Sequence, residues 1–346
     1  MDCRIHCFRT ICANKNHSII PHGSTDETSL TFEGGSCPLP HYPHVQTVMR
    51  FTPGEIVVVV DFIGHSSPHD LADLFNHPIP AGVGVETSQF QACEIAAAEI
   101  GIDANSIRIG LGGGIATPHG VAAAFQMGAA YVLTGSINQA AIESGLSAPA
   151  RQLLAKAGPA DIGMAPAADM FEQGVEVQVL KRGTLFAMRA RKLHALYKSG
   201  ASYETMSQKD REWLEGVLGE SFESAWKQTR AFIRESNPKE AARAETDGNK
   251  RLALVARRYL FMGAQWARDG APDRVSDYQI WCGPAQGAFN EWVAGTFLEP
   301  IENRTVRQIA LNLMEGAARL TRAGQMRASG IAVPPTAFSY VPRKFL

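Results

Sequence analysis

Hydrophobic periodicity divides the chain unevenly. Residues 1–54 sustain neither a two-residue nor a 3.6-residue period, so they are assigned no element. The first firm signal is EIVVVVD at residues 55–61, a continuous β-branched run of the kind buried on both faces of a parallel sheet. Residues 86–100 space Phe90, Cys93, Ile95, Ala97 and Ile100 as the apolar side of a helix. A short apolar run at 107–111 then breaks at Gly112-Gly113-Gly114, and an alanine-rich segment follows from Pro118 to Gly128. A second run, Tyr131-Val132-Leu133, ends in Thr134-Gly135-Ser136. Strand, glycine loop, helix and strand in this order predict one βαβ unit.

Farther on, Ser147-Ala148-Pro149 predicts a capped helix start. Residues 207–267 repeat apolar positions at helical spacing, with breaks at Asn237-Pro238 and Asp247-Gly248-Asn249. Trp226 and Trp266 are expected in the core, as is Cys282, since no histidine follows it to activate a thiol. A last helix is expected at 306–323, followed by a loose, proline-bearing tail.

The glycine loop carries the most specific chemistry. Glycines let the backbone adopt positive φ and approach a ligand closely. Thr117 stands where an N-cap belongs and Pro118 where a helix begins, so free N–H groups and the helix dipole would face an anion above the loop. Thr134-Gly135-Ser136 offers a second cradle at the next strand end, and paired phosphate grips on adjacent strands recur in (β/α)8 barrels. A plain tight turn in a parallel sheet is the alternative for Gly112 to Gly114, since the dinucleotide and phosphate-loop spacings are absent, but two glycine-bearing strand ends in succession favour the anion site.

This stretch resembles the last two barrel strands of the flavin-binding nitronate monooxygenase and enoyl reductase superfamily. Downstream, GSINQ (135–139), APAADMFE (165–172), VQVLKRG (177–183) and YQIWCGPAQGAFNEWV (278–293) resemble the PfaD-like, trans-acting enoyl reductases of polyunsaturated fatty acid and polyketide synthases. The resemblance covers residues 107–324. It implies an α/β fold: the last strands of a TIM-type (β/α)8 flavin barrel, followed by a mostly helical C-terminal domain. It implies FMN held at Gly112, Gly113, Gly114, Thr134, Gly135 and Ser136, NADPH as reductant, and an enoyl thioester on an acyl carrier protein as substrate. Asp61 with Gly64-His65-Ser66 loosely resembles the family's Gly-Gly-His motif, with Ile63 in place of one glycine. That makes His65 the catalytic candidate, as a proton or hydrogen-bond donor to the substrate. A loop histidine without a role is the alternative, and His69 and His77 compete with it.

One departure from the family stands out. A complete barrel needs about 250 residues, and the 54 residues before the first firm strand cannot supply five βα units. The expected division is an ill-defined extension at 1–54, a partial FMN-binding barrel at 55–150, a helical substrate and carrier domain at 151–325, and a tail at 326–346. Nitronate monooxygenase chemistry, or a non-catalytic remnant of the family, remain alternatives.

Composition refines this picture. The net charge of −1 hides a balance of −8 before Ser106 and +7 after it, and eight of ten histidines fall by His77. Cys3, Cys7 and Cys12 with His6, His17 and His22 match no metal-site spacing, so no metal is expected. Scattered cysteines, no secretory signal and no long apolar run point to a cytoplasmic protein without a membrane span. Lys181, Arg182, Arg189, Arg191, Lys192 and Lys198 surround a helix whose apolar side is read as Leu185, Met188, Leu193, Leu196 and Tyr197. That basic face suits an acidic carrier protein, or is simply a solvated face. Nucleic acid is not an expected partner, and a homodimer is admitted.

Overall fold

The computed structural model describes strand backbone at residues 20–22, 29–31, 44–52 and 55–63, and residues 107–346 throughout, with side chains from Gly110 onward. The expected helix at 86–100, His65, His69, His77 and the cysteines near the N-terminus lie outside the described residues. The chain divides into two compact units, Met1–Gly135 with Leu313–Tyr340, and Ser136–Asn312 with Val341–Leu346.

Strands β1 (Ile20–His22) and β2 (Ser29–Thr31) pair antiparallel. Strands β3 (His44–Thr52) and β4 (Glu55–Ile63) pair antiparallel along their whole length, from His44 with Ile63 to Thr52 with Glu55. Three strands therefore occupy the stretch to which the hydrophobic pattern assigned nothing. Strand β5 (Ile107–Gly112) runs parallel to β4, with Asp61 opposite Gly112. Strand β6 (Tyr131–Val132) runs parallel to β5. The sheet order is β3-β4-β5-β6, as the βαβ reading requires for its last three strands. The antiparallel β3 departs from the all-parallel pattern of a (β/α)8 barrel.

Helix α1 (Pro118–Gln126) crosses from β5 to β6 and buries Pro118, Val121, Ala122 and Ala124. Its alanines let it lie close to its neighbours. The long C-terminal helix, here α9 (Val306–Ala328), buries Leu313, Ala317, Leu320 and Ala323 in this unit.

In the other unit, β7 (Ile162–Pro166) and β8 (Glu176–Leu180) form a hairpin, and Val179 bridges to Trp281. Ser147 caps α2 (Ala148–Ala155) as the sequence predicts, its hydroxyl accepting from the Ala150 N–H at 3.4 Å. Helix α3 (Phe186–Lys198) packs on the hairpin. Helices α4 (Gln208–Leu218), α5 (Phe222–Ser236), α6 (Pro238–Thr246) and α7 (Gly248–Asp269) follow, broken at Asn237 and Asp247, which serve as N-caps. Helix α8 (Ala285–Val293) completes the set before α9. The main core gathers Phe171, Phe186, Leu193, Leu214, Phe222, Trp226, Leu252 and Tyr259, with Trp266 against it. A second cluster holds Leu154, Leu180, Tyr278, Ile280 and Cys282. Burial pushes the Cys282 thiol up to about 12, which fits a structural cysteine.

Two expectations need correction. Helix α3 buries Phe186, Ala187, Ala190 and Leu193, whereas Leu185 and Met188 are 44% and 60% exposed. Leu193, Leu196 and Tyr197 do face the core as expected, but Phe186, Ala187 and Ala190 share that face in place of Leu185 and Met188, and Ala187 lies against Gly163 of β7. The tail is not loose. Asn312 exchanges two hydrogen bonds with the Arg343 backbone, at 2.9 and 2.7 Å, and Gln308 does the same with Phe345 at 2.7 and 3.0 Å. Each amide side chain thus pairs with the tail backbone as a neighbouring strand would.

A charge clasp ties three segments of this unit together. Lys250 contacts Glu172 at 2.6 Å and Glu240 at 2.5 Å, and Arg257 contacts the same two carboxylates at 3.5 and 3.1 Å. Burial raises the Glu172 carboxyl. The Lys250 hydrogen bond, its own backbone N–H and both cations outweigh that and hold it below the ordinary value of 4.5. A depressed carboxylate contributes stability that is complete above its unfolded pKa and is lost as pH falls through the lowered folded value. Wild type is therefore expected to exceed Lys250→Met in urea midpoint at pH 7, with the gap shrinking below pH 4.5. A gap independent of pH would remove Glu172 from the clasp.

Candidate functional site

The glycine loop sits where β5 ends. Gly113 and Gly114 have φ of 82° and 70°, in the left-handed region that glycine enters at least cost. Both are exposed, and a Cβ at Gly114 would meet no atom of the described residues within 4 Å. Four residues on, α1 begins with Thr117 at the N-cap in extended conformation (φ −132°) and Pro118 inside the first turn. The Thr117 side chain makes no cap hydrogen bond, and no acidic residue lies in the first turn. The first intrahelical bond is from the Val121 N–H to the Thr117 carbonyl. The His119 and Gly120 N–H groups therefore have no partner within the helix.

The second strand end lies beside the first. Leu133 N–H donates to the Leu111 carbonyl at 2.9 Å, so the backbones leading into Gly112 and Thr134 are neighbours. Gly135 is also open, with nothing within 4 Å of a Cβ. This unit therefore brings together Gly112, Gly113, Gly114, Thr134 and Gly135. Ser136 opens the other unit, where its hydroxyl accepts from the Gly283 N–H at 2.8 Å.

The arrangement fits a phosphate group. Among the described residues it offers backbone donors without a helical partner at the positive end of a helix, room beside Gly114 and Gly135, and no first-turn carboxylate to compete. FMN carries such a group, so the chemistry of the loop and that of the cofactor match.

Most of the basic side chains around α3 already have partners. Arg189 is spent on buried Asp277, and Arg182 pairs with Asp161 at 3.1 Å. Lys192 pairs with Asp210 at 3.1 Å and sits 4.0 Å over the Trp213 ring, while Arg191 donates to the Met164 carbonyl at 2.9 Å. Lys181 and Lys198 are left without an ion pair among the described residues. The sequence reading missed two contacts here, Gly283 to Ser136 and Asp277 to Arg189. The only advance signal was the long YQIWCGPAQG run, which starts one residue after Asp277.

Comparison with known proteins places the chain. Its relatives are components of polyketide and polyunsaturated fatty acid synthase systems. A polyunsaturated fatty acid synthase subunit from Thraustochytrium sp. is 42% identical over 245 residues, covering 68% of this chain and 16% of that protein. The polyketide biosynthesis protein PksE of Bacillus subtilis is 40% identical over 215 residues, covering 62% of this chain and 28% of that protein. The crystal structure of the enoyl reductase domain of MlnA, from the macrolactin biosynthesis cluster of Bacillus amyloliquefaciens, aligns with a TM-score of 0.66 at 32% identity. That alignment covers 80% of this chain and 59% of the MlnA chain. A family profile described as "[Acyl-carrier-protein] S-malonyltransferase, inserted helical domain" matches residues 201–278, the region of α4 to α7.

The chain is thus similar to parts of polyunsaturated fatty acid and polyketide synthases and to an enoyl reductase domain of a polyketide cluster, as the PfaD-like resemblance implies. It spans well under a third of the curated relatives it matches. Among the described residues, no helix is long and apolar enough to cross a membrane, and no histidine, cysteine or acidic cluster could hold a metal ion.

Proposed function

We propose that this chain is an FMN-dependent enoyl reductase that uses NADPH and acts in trans on enoyl thioesters carried by an acyl carrier protein. One observation carries the reading: the Gly113-Gly114 loop opens onto an uncapped helix N-terminus at the end of a parallel strand. The His119 and Gly120 N–H groups would hold the phosphate, with Gly112, Thr134 and Gly135 lining the approach. With FMN bound there, hydride from NADPH could be relayed to the β-carbon of a conjugated enoyl thioester. His65 is proposed to supply the proton taken up at the substrate α-carbon. The similarity to synthase subunits and to an enoyl reductase domain supports the substrate class, and an acidic carrier protein suits the positive balance of the chain after Ser106.

The purified protein is expected to show flavin bands near roughly 370 and 450 nm, and to oxidise NADPH when an enoyl thioester is present. A colourless protein that takes up no added FMN would overturn the proposal in favour of a non-catalytic family member. Oxidation supported by a nitroalkane instead of the enoyl thioester would reassign the chain to nitronate chemistry.

A further inference from the structure

We propose that α9 and the C-terminal tail hold the phosphate-binding end of α1 in place, with Gly316 and His119 as positioning residues; this rests on the phosphate reading above. The contact is built at the first residues of α1. Pro118, inside the first turn, is buried. Directly against its ring lies Gly316 in the middle of α9. A Cβ there would fall 2.6 and 2.7 Å from Pro118 Cγ and Cβ, and 2.9 Å from Tyr340 Cδ1. Three segments far apart in sequence therefore meet at a point where no side chain fits. Gly316 is not needed for an unusual φ; it is needed because of what it touches.

The next residue of α1 reaches the tail. His119 Nε2 lies 3.2 Å from the Phe338 carbonyl oxygen. A carbonyl only accepts, so Nε2 carries the proton in this contact and donates. The tail is in turn pinned to α9 at two places. The Arg327 guanidinium sits 4.3 Å over the Phe338 ring, and Arg319 sits 5.6 Å over Tyr340. The Tyr340 hydroxyl donates to Glu315 at 3.2 Å, and Tyr340 is 6% exposed. Phe338 is thus presented to His119 by anchored neighbours.

The consequence concerns aim. These contacts fix Pro118 and His119, so the His119 N–H that would grip a phosphate, and the Gly120 N–H that follows it in the same turn, take their aim from them. A displacement of about 1 Å at a positioning group is enough to weaken a bound state or transition state severely. Loosening Gly316 or His119 should therefore weaken the hold on a phosphate while leaving the rest of the ligand's contacts alone.

FMN and riboflavin differ by the phosphate, so the full-length protein is titrated with each by fluorescence quenching. Wild type is expected to bind FMN at least about tenfold more tightly than riboflavin. His119→Ala should lose about threefold to tenfold in FMN affinity, the range of one hydrogen bond, with riboflavin changed less than twofold. His119→Gln, whose amide can still donate to Phe338, should restore most of the FMN affinity. Gly316→Ala, the mildest intrusion on Pro118, should act like His119→Ala, and thermal unfolding checks that each variant is folded. Equal FMN and riboflavin binding by wild type would overturn the phosphate reading itself. A wild-type preference for FMN that survives unchanged in His119→Ala would overturn this proposal alone, as would equal losses for both ligands.

Discussion

Gly114→Asp is expected to strip FMN from the protein, lowering its affinity at least about a hundredfold below that of Gly114→Asn. The pair is chosen so that only charge differs. Both substitutions place a side chain at φ 70°, where asparagine and aspartate are the most tolerant non-glycine residues. Both would project into space where no atom of the described residues lies within 4 Å of the new Cβ, and the two side chains have nearly the same shape, so any steric effect is shared. Aspartate, however, sets a carboxylate at the positive end of α1. It would satisfy the orphan N–H groups from within the chain and repel an incoming phosphate. Two unit charges about 4 Å apart at an effective dielectric near 20 interact by about 4 kcal/mol, so a hundredfold loss is a conservative reading. Riboflavin binding should separate the variants far less. If the two variants retain FMN equally, the phosphate does not sit at Gly114.

What the sequence revealed about this fold follows from which signals are local. The βαβ unit was legible because each of its parts is announced within a few residues: β-branched strand, glycines, Thr117 before Pro118, alanines, second strand. The helical region was legible for the same reason, through period and caps, down to Ser147, Asn237 and Asp247. Strand β3 escaped because Thr47 and Val48 interrupt the alternation of HVQTVMRFT. The contact face of α3 was read in part: Leu193, Leu196 and Tyr197 pack as expected, but Leu185 and Met188 were counted for their length, while the small Ala187 and Ala190 lie on the packed side.

The tail shows a different failure. Its prolines and polar residues carry no period, and its order comes from Asn312 and Gln308, whose amides pair with backbone more than thirty residues away. The same holds for the candidate site. Glycine placement was local and could be read, but the partner of Ser136 lies 147 residues along the chain and that of His119 lies 219 residues along. No period or motif encodes such a pairing, whereas packing does.

Asp277→Ala is expected to be the most damaging single change in the helical unit, costing about 3–5 kcal/mol in urea unfolding. The Asp277 side chain is 3% exposed and takes four roles at once. Its Oδ1 accepts from the Tyr259 hydroxyl at 2.6 Å and from Arg189, and its Oδ2 accepts from Arg274 at 3.0 Å. It also neutralises two guanidinium groups. Arg274 cannot simply swing to solvent, since it donates to the Val217 and Leu218 carbonyls and lies 4.3 Å over the Trp266 ring. Burial first, and the Asp277 charge second, push the Tyr259 hydroxyl well above its ordinary range, so it remains a neutral donor in need of that acceptor. Removing the carboxylate therefore strands two cations and a phenol together. Asp277→Asn keeps the shape but turns an amide N–H toward groups that already donate, so it should recover little. Adding Arg189→Met to Asp277→Ala should recover more, because it deletes one of the stranded charges, and the non-additivity measures their coupling. Loss below about 1 kcal/mol for Asp277→Ala would show that water reaches these groups and that the network is not a buried one. The position of Asp277 makes the test informative about architecture as well. It falls at the end of the 201–278 match, and Arg189 lies on α3 outside it. A helical segment that depends on Asp277 for stability depends equally on the hairpin-packed helix that precedes it.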